Sequence, residues 1–287
     1  MPNIGYLNGQ FMPLEQVCVS AEDRGYQFGD GIYEVIRTYQ GCLFYLEEHL
    51  ARLERNAREI HIALPLNRHE WEAAILLGVK QSGYANCKVY LQVTRGAAPR
   101  EHQFPAALSP TVLMTFREMP DFDAHLRAKG VSAITLPDIR WGRCDIKSLN
   151  LLPNVLAKQK AAEAGAFEAI FVRDDIVTEG ASSNFMIVKD GVISSSELNQ
   201  RILAGVTLLC VIELARVHGY DVQERVIRAR ELDNVDEMFL VGTTIEVLPV
   251  TQLNDQPVGD GSPGPVTRSL MSKFSETVEK TFSIPLR

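Results

Sequence analysis

Lys147 lies in the segment Asp138–Lys160, between Ile146 and Ser148-Leu149, with Trp141 a few residues before it. An amine held among apolar residues loses solvation of its charged form and becomes a better nucleophile toward an aldehyde. The same pattern also suits a surface lysine that lays its stem along apolar neighbours. Downstream, Val177–Asn184 reads VTEGASSN, where Glu179-Gly180 closes a hairpin and small hydroxyl residues follow. A carboxylate there can face a heteroaromatic nitrogen and keep it protonated; the simpler alternative is a surface glutamate beside a turn glycine. In Ile202–Leu208, Gly205 precedes a helix. The N–H groups of Val206 and Thr207 at its start, with the Thr207 hydroxyl, offer a phosphate site, although Thr207 can equally serve as a helix cap. Gly242-Thr243-Thr244 is a second cluster of small donors. Arg100 and His102 stand two residues apart, so in an extended loop they point the same way and can grip a carboxylate. A solvated loop carries such a pair just as easily.

These residues need a scaffold, and the pattern supplies one. Asn8-Gly9 between Ile4–Leu7 and Gln10–Met12 is a hairpin signal, and Gln40-Gly41 repeats it between Tyr33–Tyr39 and Cys42–Tyr45. Leu50, Leu53, Ala57 and Ile60 fall at helical spacing in Glu47–Ile60. His69–Gly83 reads as a second helix ending at a glycine, and Lys88–Thr94 and Thr111–Phe116 as strands. Arg117–Asp123, with Pro120, reads as a connection between domains. Beyond it the pattern predicts a strand at Val131–Leu136 and a helix at Pro153–Ala164. Hairpins follow, turning at Asp174-Asp175 and Asp190-Gly191, then a helix at Val206–His218, a buried strand at Met238–Val241 and a closing helix at Pro265–Phe282. Helices mixed with mostly hairpin-connected strands predict two α+β lobes rather than a doubly wound sheet.

The bulk properties exclude several classes. At 287 residues the chain is long for one core and suits two modest domains. A formal net charge of −7, with no Lys/Arg-rich run, argues against nonspecific nucleic-acid binding. The longest apolar stretch, Ala204–Ala215, is broken by Glu213 and falls short of a membrane span. No basic and apolar leader stands at the N-terminal end. Five scattered cysteines without a Cys-x-x-Cys pair suit thiols in the cytoplasm, and no clustered ligands suggest a metal.

Five segments stand in one order along the chain: DRGYQFGDGIYEV (Asp23–Val35), EHLARL (Glu48–Leu53), QVTRG with RxHQFP (Gln92–Pro105), DIRW with RCDIKSLN (Asp138–Asn150) and VTEGxSSN (Val177–Asn184). Together, over nearly the whole length, they resemble the fold-type IV pyridoxal-phosphate enzymes, and within these the bacterial D-amino acid aminotransferases. The resemblance implies an α+β, two-domain fold-type IV architecture with the active site in the interdomain cleft. Its parts are expected at residues 1–119 (a smaller domain), 120–125 (a linker) and 126–287 (a larger, cofactor-binding domain). It also implies a ping-pong transamination between a D-amino acid such as D-alanine and a 2-oxo acid such as pyruvate or 2-oxoglutarate, with pyridoxal 5′-phosphate as cofactor.

Carried over by position, the resemblance makes Lys147 the Schiff-base lysine that also shuttles the α-proton. Glu179 pairs with the pyridine nitrogen. Arg52 holds the phosphate with Val206, Thr207 and Thr243, Leu203 lies against the ring, and Ser182 adds hydrogen bonding near it. Tyr33, Arg100 and His102 form the substrate carboxylate site, with Arg100 and His102 supplied across a homodimer interface. The Arg-x-His pair separates this group from the branched-chain L-aminotransferases, and the aminodeoxychorismate lyases share the Lys147 and Glu179 equivalents. A module that only binds the cofactor is the non-enzymatic alternative. Two departures, Gly142 after Trp141 and Ala181 in place of a serine, bear on substrate range.

Overall fold

The computed structural model describes residues 3–282. The chain divides into two compact units. Of the described residues, one comprises 3–120, the short segment Ile146–Asn150 and 281–282; the other comprises Asp121–Asp145 and Leu151–Lys280. The boundary after Pro120 falls beside the expected linker at residues 120–125, and the short segment that carries Lys147 groups with the N-terminal residues.

The first unit is built on a six-stranded antiparallel sheet. β1 (Ile4–Leu7) and β2 (Gln10–Pro13) turn at Asn8 and Gly9, whose φ angles of 47° and 95° are those of a tight hairpin turn. β3 (Gly31–Tyr39) and β4 (Cys42–Leu43) turn at Gln40 and Gly41 in the same way. Between the hairpins lies α1 (Arg24–Phe28), which the sequence pattern does not announce. At five residues it is too short to repeat an apolar position, and Asp23 starts it by accepting from the Gly25 N–H. α2 (Leu46–Glu59) and α3 (Arg68–Ser82) match their expected spans to within a residue or so. Asn67 and Glu70 form a capping box at the start of α3, and Gly83 ends it at φ 70°. β5 (Cys87–Thr94) and β6 (Thr111–Glu118) complete the order β2-β1-β6-β5-β3-β4. Val89, Leu91 and Val93 alternate into the core with Leu50, Leu53, Trp71, Ile75 and Phe116.

The strand β4 is so short that it pairs only with Thr38 and Tyr39, leaving the start of β3 open along that edge. Ile146–Asn150 fills the opening. Tyr33 N–H donates to the Lys147 carbonyl, Leu149 N–H donates to the Gly31 carbonyl, and Ile32 bridges to Ser148. Gly31 has to be a glycine: a Cβ there would meet the Val93 carbonyl at 2.6 Å and the Leu149 side chain at 2.8 Å.

The second unit holds α4 (Ala124–Lys129), β7 (Val131–Pro137), α5 (Leu152–Glu163), β8 (Glu168–Arg173), β9 (Ile176–Gly180), β10 (Asn184–Lys189), β11 (Val192–Ser196), α6 (Val206–Val217), β12 (Val222–Arg225), β13 (Ile227–Arg228), β14 (Glu237–Gly242), β15 (Glu246–Leu253), β16 (Gln256–Pro257) and α7 (Pro265–Phe282). The hairpins turn at Asp174-Asp175 and Asp190-Gly191 as the sequence indicates, all four residues having positive φ. The sheet runs β12-β11-β10-β14-β15-β7-β8-β9-β13. Hairpin pairs dominate it, with parallel contacts at β7/β8, β7/β15 and β11/β12. β15 escapes the sequence reading because Pro249 argues against a central strand. The structure accommodates it beside an irregularity: pairing with β7 begins at Val250 and shifts register before Gln252.

Candidate active site

In the first unit Lys147 is half-buried, and its Nζ lies 4.2 Å from the centroid of the Tyr33 ring. Tyr33 in turn stacks on Tyr90 at 5.6 Å. Burial, and then the neighbouring Tyr33, push the Tyr90 phenol up to about 12, so it stays protonated and donates to Gln92 at 2.7 Å. The structure thus brings Lys147 and Tyr33 together as backbone partners and as an ammonium over an aromatic face.

Arg52 is buried on α2, and its neighbours explain how a charge is tolerated there. Its Nε and Nη2 donate to the two oxygens of Glu34 at 2.7 and 2.8 Å, while His49 Nδ1 sits 2.8 Å from Glu34 Oε2. Glu34 is fully buried. Burial alone would raise its pKa, but the charge and hydrogen bonds of Arg52, followed by those of His49, bring it far below the usual carboxylate range. An ionised carboxylate only accepts, so Nδ1 of His49 carries the proton. Burial holds the His49 pKa below its ordinary value, so the ring is neutral near pH 7. Neither Glu34 nor His49 has a role in the sequence reading. A signal was available, because His49, Arg52 and Asn56 form a buried polar stripe at helical spacing.

Arg100 and His102 are exposed in the connection between β5 and β6. Both meet the Phe28 ring: the Arg100 guanidinium is 4.9 Å from its centroid, and the His102 ring is 5.4 Å away. Among the described residues no hydrogen bond or ring contact joins either of them to Tyr33, which pairs with Lys147 and Tyr90 instead.

In the second unit Glu179 ends β9 with its carboxylate buried. Arg140 Nη1 donates to Oε1, and Asn184 Nδ2 and the Leu203 N–H donate to Oε2 at 3.0 and 3.1 Å. Arg140 is itself buried. Burial would lower its pKa, but Asp138 and Glu179 outweigh that and raise it above the ordinary value, so the guanidinium is permanently charged. Asp138 completes the network by accepting from Arg140, Arg173 and Thr178. Leu203 is therefore tied to Glu179 through its backbone, and its carbonyl accepts from Asn184 at 2.9 Å.

Ser182 donates to Glu168, a fully buried carboxylate that also accepts from Ser183 and from the Ala169 N–H. Glu168 thereby fixes the turn between β9 and β10. α6 starts at Val206 and Thr207, both buried, from Gly205, with no side-chain cap bond there. The Thr207 hydroxyl therefore does not act as the helix cap. A Cβ on Gly205 would run into the Asn184 side chain, so glycine is needed for the close approach. Thr243 follows β14 and is half-buried.

Each unit by itself offers chemistry that a phosphorylated pyridine aldehyde can use: the first a half-buried amine at Lys147, the second a buried carboxylate paired with Arg140 and a helix start whose N–H groups lack a side-chain cap. Among the described residues no group of His, Cys, Asp and Glu could hold a metal ion, and no helix is long and apolar enough to cross a membrane.

Comparison with known proteins agrees with this reading. A family model described as amino-transferase class IV matches residues 31–253. The D-alanine aminotransferase of Bacillus licheniformis is 46% identical over 273 residues, covering 94% of this chain and 95% of the relative. That of Staphylococcus epidermidis is 43% identical over 274 residues, covering 96% and 97%. A solved branched-chain amino acid aminotransferase from T.th., with pyridoxamine 5′-phosphate, matches at a TM-score of 0.90 and 30% identity, over 99% of this chain and 96% of that one. These likenesses bear out the expected fold-type IV, α+β architecture. The matched stretch runs from β3 into β15 and contains Tyr33, Arg52, Lys147, Glu179 and Thr243, so the chain belongs to the class IV aminotransferase family.

Proposed function

We propose that this enzyme transfers an amino group between a small D-amino acid, D-alanine being the model, and a 2-oxo acid such as pyruvate or 2-oxoglutarate, using pyridoxal 5′-phosphate. The observation that carries the D-specific reading is the paired presentation of Arg100 and His102 on Phe28, a cationic fork and an imidazole on one surface. The identity of 46% to a D-alanine aminotransferase, against 30% to a branched-chain one, supports it.

When bound, the cofactor supplies the electron sink that makes the substrate α-proton removable. The chain's own residues do the rest. Lys147 would hold the cofactor through its aldehyde, and its amine, freed when the amino donor takes its place there, would accept the α-proton and return a proton in the same half-reaction. Tyr33, under the ammonium, fixes the face from which that nitrogen works. Glu179, oriented by Arg140, Asn184 and Leu203, would face the ring nitrogen and favour its protonated form. Arg52 and the N–H groups of Val206 and Thr207 bind the phosphate, with Thr243 as a further donor. Ser182, held by Glu168, lines the ring's surroundings. Arg100, His102 and Tyr33 take the substrate carboxylate. The second half-reaction is the first run backwards on the oxo acid, so the same residues serve both.

An assay of D-alanine against L-leucine, each with 2-oxoglutarate, tests the reading. The D-substrate is expected to react at least ~10-fold faster, a preference of about 1.4 kcal/mol. A clear preference for L-leucine would instead assign the branched-chain activity.

The active assembly in this reading is a homodimer in the cytoplasm, with Arg100 and His102 serving the partner's site. The exposed apolar side chains Leu152, Val155 and Leu156 form one face of α5, which supports an interface between copies. Val155→Asp should shift the protein toward monomer in sedimentation equilibrium, and an unchanged dimer would move the interface elsewhere. The described cysteines are all free thiols, consistent with a reducing compartment.

A further inference from the structure

The loop that carries Arg100 and His102 spans residues 95–110 between β5 and β6, and includes no strand or helix. Loops of that length in a compact domain are usually functional or disordered. This one is tied down by buried arginines. Arg24 Nη1 donates to the carbonyl of Glu101 at 2.5 Å and of Gln103 at 3.4 Å, and Nη2 donates to the carbonyl of His102 at 3.4 Å. Its Nε donates to Asp30 at 2.8 Å, and the residue is only 2% exposed. The same guanidinium lies 4.8 Å from the centroid of the Phe28 ring, the ring that Arg100 and His102 also meet. Asp30 shares its carboxylate with Arg95, which stacks on Phe104 at 3.6 Å further along the loop.

We propose that Arg24 is a positioning residue for substrate-carboxylate recognition: its guanidinium fixes three consecutive loop carbonyls and the Phe28 ring, and so sets where Arg100 and His102 stand. The proposal rests on the reading of Arg100 and His102 as the carboxylate site. Arg24 and Phe28 both precede the stretch that the family model matches. The geometry is specific to arginine. A buried charge with four acceptors needs a planar fork of donors, and a lysine ammonium, with three donors on one atom, cannot reach acceptors spread over three successive carbonyls and Asp30. Loss of the fork should let the loop shift by enough to spoil a two-point grip on a carboxylate, while Lys147 and Glu179 stay in place.

The test is steady-state kinetics of the holoenzyme with D-alanine and 2-oxoglutarate for Arg24→Lys, Phe28→Leu, Arg100→Met and the two doubles that combine Arg100→Met with each of the others. Both substrates carry a carboxylate, so Arg24→Lys should raise both KM values roughly 10-fold and change kcat by less than about threefold. In the Arg100→Met background the further rise should be under about twofold, because both substitutions act on one contact. Phe28→Leu leaves the Asp30 pair intact and should show the same KM pattern. It decides the matter if Arg24→Lys does not fold. Unchanged KM values, a loss confined to kcat, or effects that multiply with Arg100→Met would overturn the proposal. If Arg100→Met itself leaves both KM values unchanged, the carboxylate reading fails first, and the proposal fails with it.

Discussion

Lys147→Ala should abolish the visible absorption of the bound cofactor and lower kcat by at least ~10³-fold. A positioned proton-transfer group alone contributes about 10²–10⁴-fold, and the lysine also anchors the aldehyde. At about 4 kcal/mol or more in transition-state free energy, this is the largest effect expected for any single change in the site. The variant should keep its stability. Lys147 is half-buried, its backbone bonds to Tyr33 do not depend on the side chain, and the loss of one contact to an aromatic ring costs about 1 kcal/mol or less. Stopped-flow mixing with D-alanine separates the alternatives. Retention of multiple turnovers at even a hundredth of the normal rate would remove Lys147 from the mechanism.

The largest effect on stability is expected at Glu34. Glu34→Gln leaves the Arg52 charge buried without its carboxylate, a change that typically costs about 3–5 kcal/mol. The cost should depend on pH, with a fixed sign. The folded-state pKa of Glu34 is depressed, so its stabilisation is fully present above the unfolded value of ~4.3 and is lost as pH falls toward the folded one. Urea midpoints of wild type and variant should therefore be widely separated at pH 7 and draw together below about pH 4. A gap of equal size at pH 7 and pH 3.5 would show that the charge is not what stabilises the fold there. His49 adds a second acid-side loss to the wild type. Its pKa is held down by burial, so the unfolded chain takes up a proton that the folded one refuses as pH drops through ~6.5. Because Arg52 is the proposed phosphate ligand, the variant should also release pyridoxal phosphate more readily on dialysis.

Local features of the chain were legible in the sequence where one or two residues decide the backbone. Asn8-Gly9, Gln40-Gly41, Asp174-Asp175 and Asp190-Gly191 each impose positive φ, and each hairpin is found where those residues fall. α2 and α3 followed from spacing and a terminal glycine. What the sequence did not disclose is pairing at a distance. Arg52 was legible as a charge on a helix, but nothing near it names Glu34, eighteen positions away across a strand. Arg140 stood inside the quoted DIRW segment without a role, because its partner Glu179 is 39 positions downstream. Arg24 was missed for the same reason, since its acceptors are backbone carbonyls, which every residue carries. Short elements such as α1 and β12 escaped because four or five residues do not establish a period.

The strip of backbone that completes the open edge of β3 has a consequence for biogenesis. Residues 3–120 are synthesised well before Ile146–Asn150 leave the ribosome, yet the sheet they form has bonding positions at Gly31 and Tyr33 that only the later segment fills. The N-terminal part can collapse as it emerges, but its last strand-like edge closes only after some thirty further residues have been added. The reactive lysine arrives with that closure, so the nascent chain gains its chemistry at the same step that seals its first sheet. A gene cut at Pro120 would yield a first half with an unsealed edge exposed to other chains, a known route to aggregation, and would leave Tyr33 and Lys147 on separate molecules.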